Sequence, residues 1–202
     1  MVGRTASVGE VMEEVLRDEV FYRTSKGGLT ISGGEPTSQI EFLEALLGEA
    51  KRAGLHCALE TCGHAPWERY ERLRGMVDLY LYDLKETDPR RHAEYTGVEN
   101  GLILSNLRKL HDAGAAVVLR LPIVPGRNDR EEHLAAVARI VRELPGLRGV
   151  EIMGYHGLGE SKRERFGLAA TELPRIARVE SAVVEGWLGR LRALGVRVVA
   201  LS

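Results

Sequence analysis

Two rhythms of apolar residues alternate along the chain. Short β-rich runs recur at 29–34 (LTISGG), 56–63 (HCALETCG), 77–85 (VDLYLYDLK), 116–126 (AVVLRLPIVPG), 149–159 (GVEIMGYHGLG) and 196–202 (VRVVALS). Between them the apolar spacing widens to the period of a helix. In VGEVMEEVLRDEVF, Val8, Val11, Met12, Val15 and Leu16 fall on one face. SQIEFLEALLGEAKRAG stops at Gly54 and LILSNLRKLHDAG at Gly114, each a favourable helix end. HLAAVARIVRELPG stops at Pro145-Gly146, and RVESAVVEGWLGRLRALG closes at Gly195. A shorter helix is expected over 66–76, with Pro66 near its start.

Strands separated by helices of this length predict an α/β fold with a parallel sheet. Several runs are apolar at consecutive positions, as a helix-covered sheet requires. The pattern alone admits an open doubly wound sheet or a partial barrel, and both put ligands at the carboxyl ends of the strands. No repeat, low-complexity stretch or linker interrupts residues 1–202, so a single domain is expected.

Charge changes this picture little. With 28 basic and 29 acidic residues the net charge is -1, so no nucleic-acid or membrane-surface partner is expected. No run approaches the ~18 apolar residues of a spanning helix. MVGRTASVGEVMEEV lacks the apolar centre of a secretory signal, and two cysteines give no disulfide framework. The expected location is the cytoplasm.

Chemistry gathers at the strand ends. In GGLTISGGEPT a buried strand ends in two glycines that let a ligand come close, followed by Glu35 and then Pro36, well suited to a first helical turn. The other ends carry Glu60-Thr61, Asp83 and Lys85, Arg120 with Pro122-Ile123-Val124-Pro125-Gly126, and Tyr155-His156. In a parallel sheet all of these share one rim. Both signs of charge around one pocket suit an amino acid-like ligand: Glu35 or Asp83 for an ammonium, Lys85, Arg120 or backbone N–H groups for a carboxylate.

Taken singly, each feature has a plainer reading. Gly-Gly at a strand end is most often a tight turn, Asp-Leu-Lys a solvated strand exit, and His156 a structural histidine like His56, His64, His92, His111 and His133. Glu60 could simply balance Lys85 or Arg120. There is no G-x-S-x-G, H-E-x-x-H or G-x-x-x-x-G-K-[ST]. Cys57 and Cys62, five apart with no third cysteine, are not a zinc or iron–sulfur site; Cys57 is expected in the core and Cys62 in a rim loop.

These motifs, in this order, resemble the radical S-adenosylmethionine enzymes of the glycyl-radical-enzyme activating type, the pyruvate formate-lyase activating family. GGLTISGGEPT resembles the family's Gly-Gly-Glu strand and LETCG its acidic-Thr-x-Gly strand end. LYLYDLKETDPRRHAEYTGVEN resembles the Asp-Leu-Lys strand and the helix after it, while RLPIVPGRND and GYHGLGESKRERFG resemble the two later strand ends. The resemblance implies a partial (β/α)6 barrel and a [4Fe–4S] cluster that reductively cleaves S-adenosylmethionine. It implies a glycyl radical enzyme as protein substrate, and reduced flavodoxin or ferredoxin as electron donor. By position, Gly33, Gly34 and Glu35 would hold the methionine amino group, and Asp83, Lys85, Arg120 and His156 would line the cofactor site. Glu60, Thr61 and Asp83 would form a monovalent-cation site, with Glu60 in place of the aspartate of some relatives.

The family's C-x-x-x-C-x-x-C loop and first strand precede the region matching Met1. The expectation is therefore a barrel missing its first strand and cluster loop, inactive in radical chemistry alone, with Met1 an internal start and the edge of the 29–32 strand open. Two alternatives differ in kind. One is a cluster-free remnant or subunit that binds S-adenosylmethionine or a glycyl radical enzyme. The other is a Schiff-base aldolase using Lys85, disfavoured because Asp83 beside it is an ion-pair partner.

Overall fold

The structure, a computed structural model, describes residues 4–25, 27–154 and 179–200. Helix α1 (Val8–Leu16) opens with a reciprocal cap. Ser7 Oγ accepts from the Glu10 N–H at 3.3 Å, and the Glu10 carboxylate accepts from the Ser7 N–H at 2.7 Å. The expected continuous helix breaks after Leu16, and α2 spans Glu19–Ser25. Beyond the break the apolar positions leave the core, with Val20 and Phe21 exposed.

Five strands follow: β1 (Gly28–Ile31), β2 (His56–Thr61), β3 (Leu79–Asp83), β4 (Val117–Ile123) and β5 (Gly149–Gly154). Their connections carry a 3₁₀ turn (Pro36–Gln39), α3 (Ile40–Arg52), α4 (Trp67–Arg72), α5 (Pro89–Thr96), α6 (Gly101–Asp112) and α7 (Glu131–Glu143); α8 is Ser181–Ala193. The strands pair in parallel in the order β1-β2-β3-β4-β5. A doubly wound sheet reverses its order at a switch point; this one advances in one direction, as a barrel does.

Register partners in a parallel sheet share a face, so the pairings divide the strand residues cleanly. Cys57, Leu59, Tyr80, Tyr82, Val117, Leu119, Leu121 and Val150 turn to the helices and join one large core with Leu47, Leu107, Leu134, Trp187 and Leu191. The concave face holds only a small apolar cluster, Ala58, Leu81 and Val118, with Leu79 and Val199 against it. Among the described residues, helices therefore cover one side of the sheet. The sixth apolar run differs from expectation: it forms a single parallel bridge, Val150 to Val198. Two backbone bonds frame it, Val150 N–H to Arg197 O and Val199 N–H to Val150 O, each at 2.9 Å.

Candidate functional site

Beyond the small apolar cluster, the concave face turns polar toward the carboxyl ends of the strands. Ala58 and Glu60 alternate on β2, Leu81 and Asp83 on β3, and Val118 and Arg120 on β4, with Asp83 paired in register to Arg120 and Arg120 to Glu151. The two-residue period that puts the apolar members inward thus also sets Glu60, Asp83, Arg120 and Glu151 on one surface.

Arg120 is the centre of this group, its side chain 12% exposed. Its Nη1 donates to Glu60 Oε1 at 2.6 Å, and Nε stands 3.3 Å from Glu151 Oε2, close enough for an ion pair but without hydrogen-bond alignment. Ser32, just past β1, donates its hydroxyl to Glu60 Oε2. Burial works against the Glu60 charge, yet Ser32 and Arg120 outweigh it and hold the carboxyl below its usual range. Lys85 Nζ lies 3.2 Å from Asp83 Oδ2, while Asp83 Oδ1 is buried without a partner among the described residues.

The Gly-Gly turn stands at the edge of this surface. Gly33 and Gly34 have φ of 99° and 60°, backbone that side chains disfavour, and a Cβ on either would meet open space. The Glu35 carboxylate points into the protein. It accepts from Thr37 N–H at 3.2 Å, Thr37 Oγ1 at 2.7 Å, Thr61 Oγ1 at 2.9 Å and the Cys62 N–H at 2.9 Å. Burial opposes its charge, and the bonds from Thr37 and Cys62 more than compensate, so its carboxyl is held below the usual range. Glu35 thereby caps the 3₁₀ turn and ties the end of β1 to the end of β2. Thr61, with its one proton given to Glu35, accepts from the Gly63 N–H at 3.1 Å and from the hydroxyl of buried Tyr70 at 2.9 Å. Its oxygen has no lone pair left over, so Glu60, Thr61 and Asp83 do not converge through their side chains.

A second charged group lies buried beneath the rim. Glu86, fully buried, accepts from Arg130 Nη2 at 2.7 Å and from the N–H groups of Thr87 and Asp88 at 2.8 and 3.0 Å, with His133 Nδ1 at 3.2 Å. Burial raises its carboxyl, but His133, the Asp88 N–H and Arg130 together bring it down to about 2. Three asparagines then fix the rim loops. Asn106 donates to Gly63 O and Ala65 O, Asn100 to Glu86 O and Thr87 O, and Asn128 to Lys85 O and Pro122 O. Sequence reading passed over all of these and Glu151. The available signal was a polar residue on an apolar stripe, as with Asn106 between Ile103 and Leu110.

Gly33, Gly34, Glu35, Glu60, Thr61, Asp83, Lys85 and Arg120 do gather at one end of the sheet; His156 lies outside the described residues. The other histidines read as structural in part. His92 meets Val98 O at 2.7 Å, and His111 accepts from the Gly146 N–H at 3.2 Å. Cys57 is fully buried, and burial pushes its thiol up; burial does the same to half-buried Cys62. No group of three or more His, Cys, Asp or Glu that could hold a metal ion occurs among the described residues, so an iron–sulfur cluster finds no fitting ligand set there. No helix among them is long and apolar enough to cross a membrane.

Comparison with known proteins agrees with this fold. The radical SAM superfamily profile matches residues 2–138. The isethionate sulfite-lyase activating enzyme of Nitratidesulfovibrio vulgaris is 44% identical over 191 residues, covering 91% of this chain and 62% of that protein. The pyruvate formate-lyase-activating enzyme of Streptococcus mutans is 41% identical over 171 residues, covering 82% and 64%. The chain spans less than two thirds of the length of these relatives. Among solved structures, a domain of pyruvate-formate lyase-activating enzyme from Bacteroides vulgatus superposes with a TM-score of 0.71 at 25% identity, covering 87% of this chain and 99% of that one.

Proposed function

The chain belongs to the radical SAM superfamily, and on that premise we propose that its concave rim binds S-adenosylmethionine as part of an activating enzyme for a glycyl radical protein. The observation that carries the reading is the Arg120 cluster: a cation held between Glu60 and Glu151, beside an Asp83 with one oxygen unpartnered among the described residues and a glycine turn open to space. Arg120 and Lys85 offer donors to the methionine carboxylate. Asp83 and the backbone of Gly33 and Gly34 offer acceptors to its ammonium. Glu35, with its oxygens committed to Thr37, Thr61 and Cys62, serves this site by fixing that turn. By the family resemblance His156, outside the described residues, would also line the cofactor site. A monovalent cation beside it would draw on Glu60 and Asp83 and, at Thr61, on the backbone carbonyl.

S-adenosylmethionine supplies a sulfonium that one electron can cleave. The electron would come from a [4Fe–4S] cluster reduced by flavodoxin or ferredoxin, and the glycyl radical enzyme would be the protein substrate. Cys57 and Cys62 do not fit that cluster, so no cleavage step is assigned to these residues; they bind and orient the cofactor. Alone, the 202 residues are expected to be inactive in radical chemistry.

Calorimetric titration of the chain with S-adenosylmethionine tests this. Binding should be detectable and weakened about 10-fold or more by Arg120→Ala, as loss of a charged hydrogen bond implies. A folded chain that gives no heat, or an Arg120→Ala variant of unchanged affinity, would overturn it.

A further inference from the structure

On the opposite face of the sheet, at the end of β3 away from the rim, a cavity of about 400 Å³ opens between α4, α6 and the strand. That volume lies in the range of small-ligand sites. Its walls are Trp67, Tyr70, Val77 and Leu110, and its floor is the small-residue turn Gly114–Ala116. Trp67 and Tyr70 stack with ring centroids 6.2 Å apart, and Lys109 Nζ sits 5.3 Å over the Trp67 ring, so the aromatic wall is held in place.

One polar group in the lining has no task. Tyr80 is 3% exposed, lines the cavity, and makes no side-chain hydrogen bond among the described residues. The neighbouring tyrosines differ: Tyr82 donates to Ile103 O at 2.7 Å, and Tyr70 bonds Thr61. Its oxygen is not closed off from the cavity, so the hydroxyl proton is free for an acceptor that enters there. Glu71, Arg74 and Asp78 also line the cavity; Asp78 is paired with Lys51 Nζ at 2.8 Å, which leaves Glu71 against Arg74 and no net charge to select an ion.

We infer that this cavity is a second binding site, for a small, flat, uncharged ring carrying one hydrogen-bond acceptor that meets the Tyr80 hydroxyl. It is separate from the concave rim. Tyr80 faces the helices, whereas Asp83 ends the same strand on the other face, about 10 Å further along.

Benzamide, a flat neutral ring with a carbonyl, is the probe. Ligand-observed NMR on the 202-residue chain should detect binding with half-saturation on the order of 1 mM. Tyr80→Phe, which removes only the hydroxyl, should weaken it ~3- to 10-fold. Ala115→Trp should abolish it by filling the floor. Saturating S-adenosylmethionine should leave it unchanged. Absence of binding to the unaltered chain, full affinity in Tyr80→Phe, or displacement by S-adenosylmethionine would each overturn the inference. Tyr80→Phe keeps the test decisive if Ala115→Trp does not fold.

Discussion

The two faces of one sheet carry different work on the same strands. On the helix side, Leu59, Leu119, Leu121 and Ile123 are fully buried in a continuous apolar core. On the concave side the same strands carry Glu60, Asp83, Arg120 and Glu151, gathered around a guanidinium rather than around hydrocarbon. Packing density rewards every methylene on the first face, whereas the second stores charges in mutual contact. Substitution should therefore divide the faces: one governs stability, the other binding.

The largest effect is expected on the covered face. Leu121→Ala should lower unfolding free energy by about 3 kcal/mol in urea titration, through lost burial and the cavity left behind. A loss under 1 kcal/mol would mean that the core collapses around the gap. Gly63→Ala should cost a similar amount. Its φ is +75°, and a Cβ there would stand 1.8 Å from the Tyr82 hydroxyl, which is anchored on Ile103 O.

Glu86 sharpens the contrast, being charged yet buried. Its carboxyl lies at about 2 in the folded chain against 4.5 ordinarily. A depressed carboxyl stabilises above its unfolded value and loses that contribution as pH falls, here from about 4.5 toward 2. Glu86→Gln should flatten this acid limb in thermal melts from pH 6 to pH 2.5; an unchanged limb would place the acid sensitivity elsewhere.

Smaller still in stability, but decisive for the comparison, is Asp83→Asn. It should move the melting temperature by no more than a few degrees and weaken S-adenosylmethionine binding about 10-fold in calorimetry. A large fall in stability would make Asp83 a structural residue and blur the division. The least effect belongs to solvent. Glu13→Ala removes an exposed pair with Arg17 at 3.2 Å and should change unfolding by under ~0.5 kcal/mol.

Several of these distinctions were legible in the residues. Four of the five strands fall inside the apolar runs and β1 starts one residue before its run; Gly33-Gly34, Asp83 and Lys85 lie at or just past strand ends, while Arg120 sits mid-strand in β4, in register with the last residue of β3. What Glu35 does was not legible. A glutamate after two glycines reads as a group facing the ligand, but three residues from two chain segments capture its oxygens. The Glu86–Arg130–His133 group was equally hidden, because Glu86 lies more than 40 residues before Arg130 and His133.

Sequence by itself determined the element order, the parallel sheet and the chemistry available at its carboxyl end. Local period, turn residues and short motifs are properties of neighbours in the chain. Only the tertiary structure decided which face of the sheet carries the apolar core, that Arg120 stands between Glu60 and Glu151, and that the Tyr80 hydroxyl has no hydrogen-bond partner among the described residues. Those outcomes depend on strand register and on which distant side chains reach a given atom first, and neither is written in any single segment.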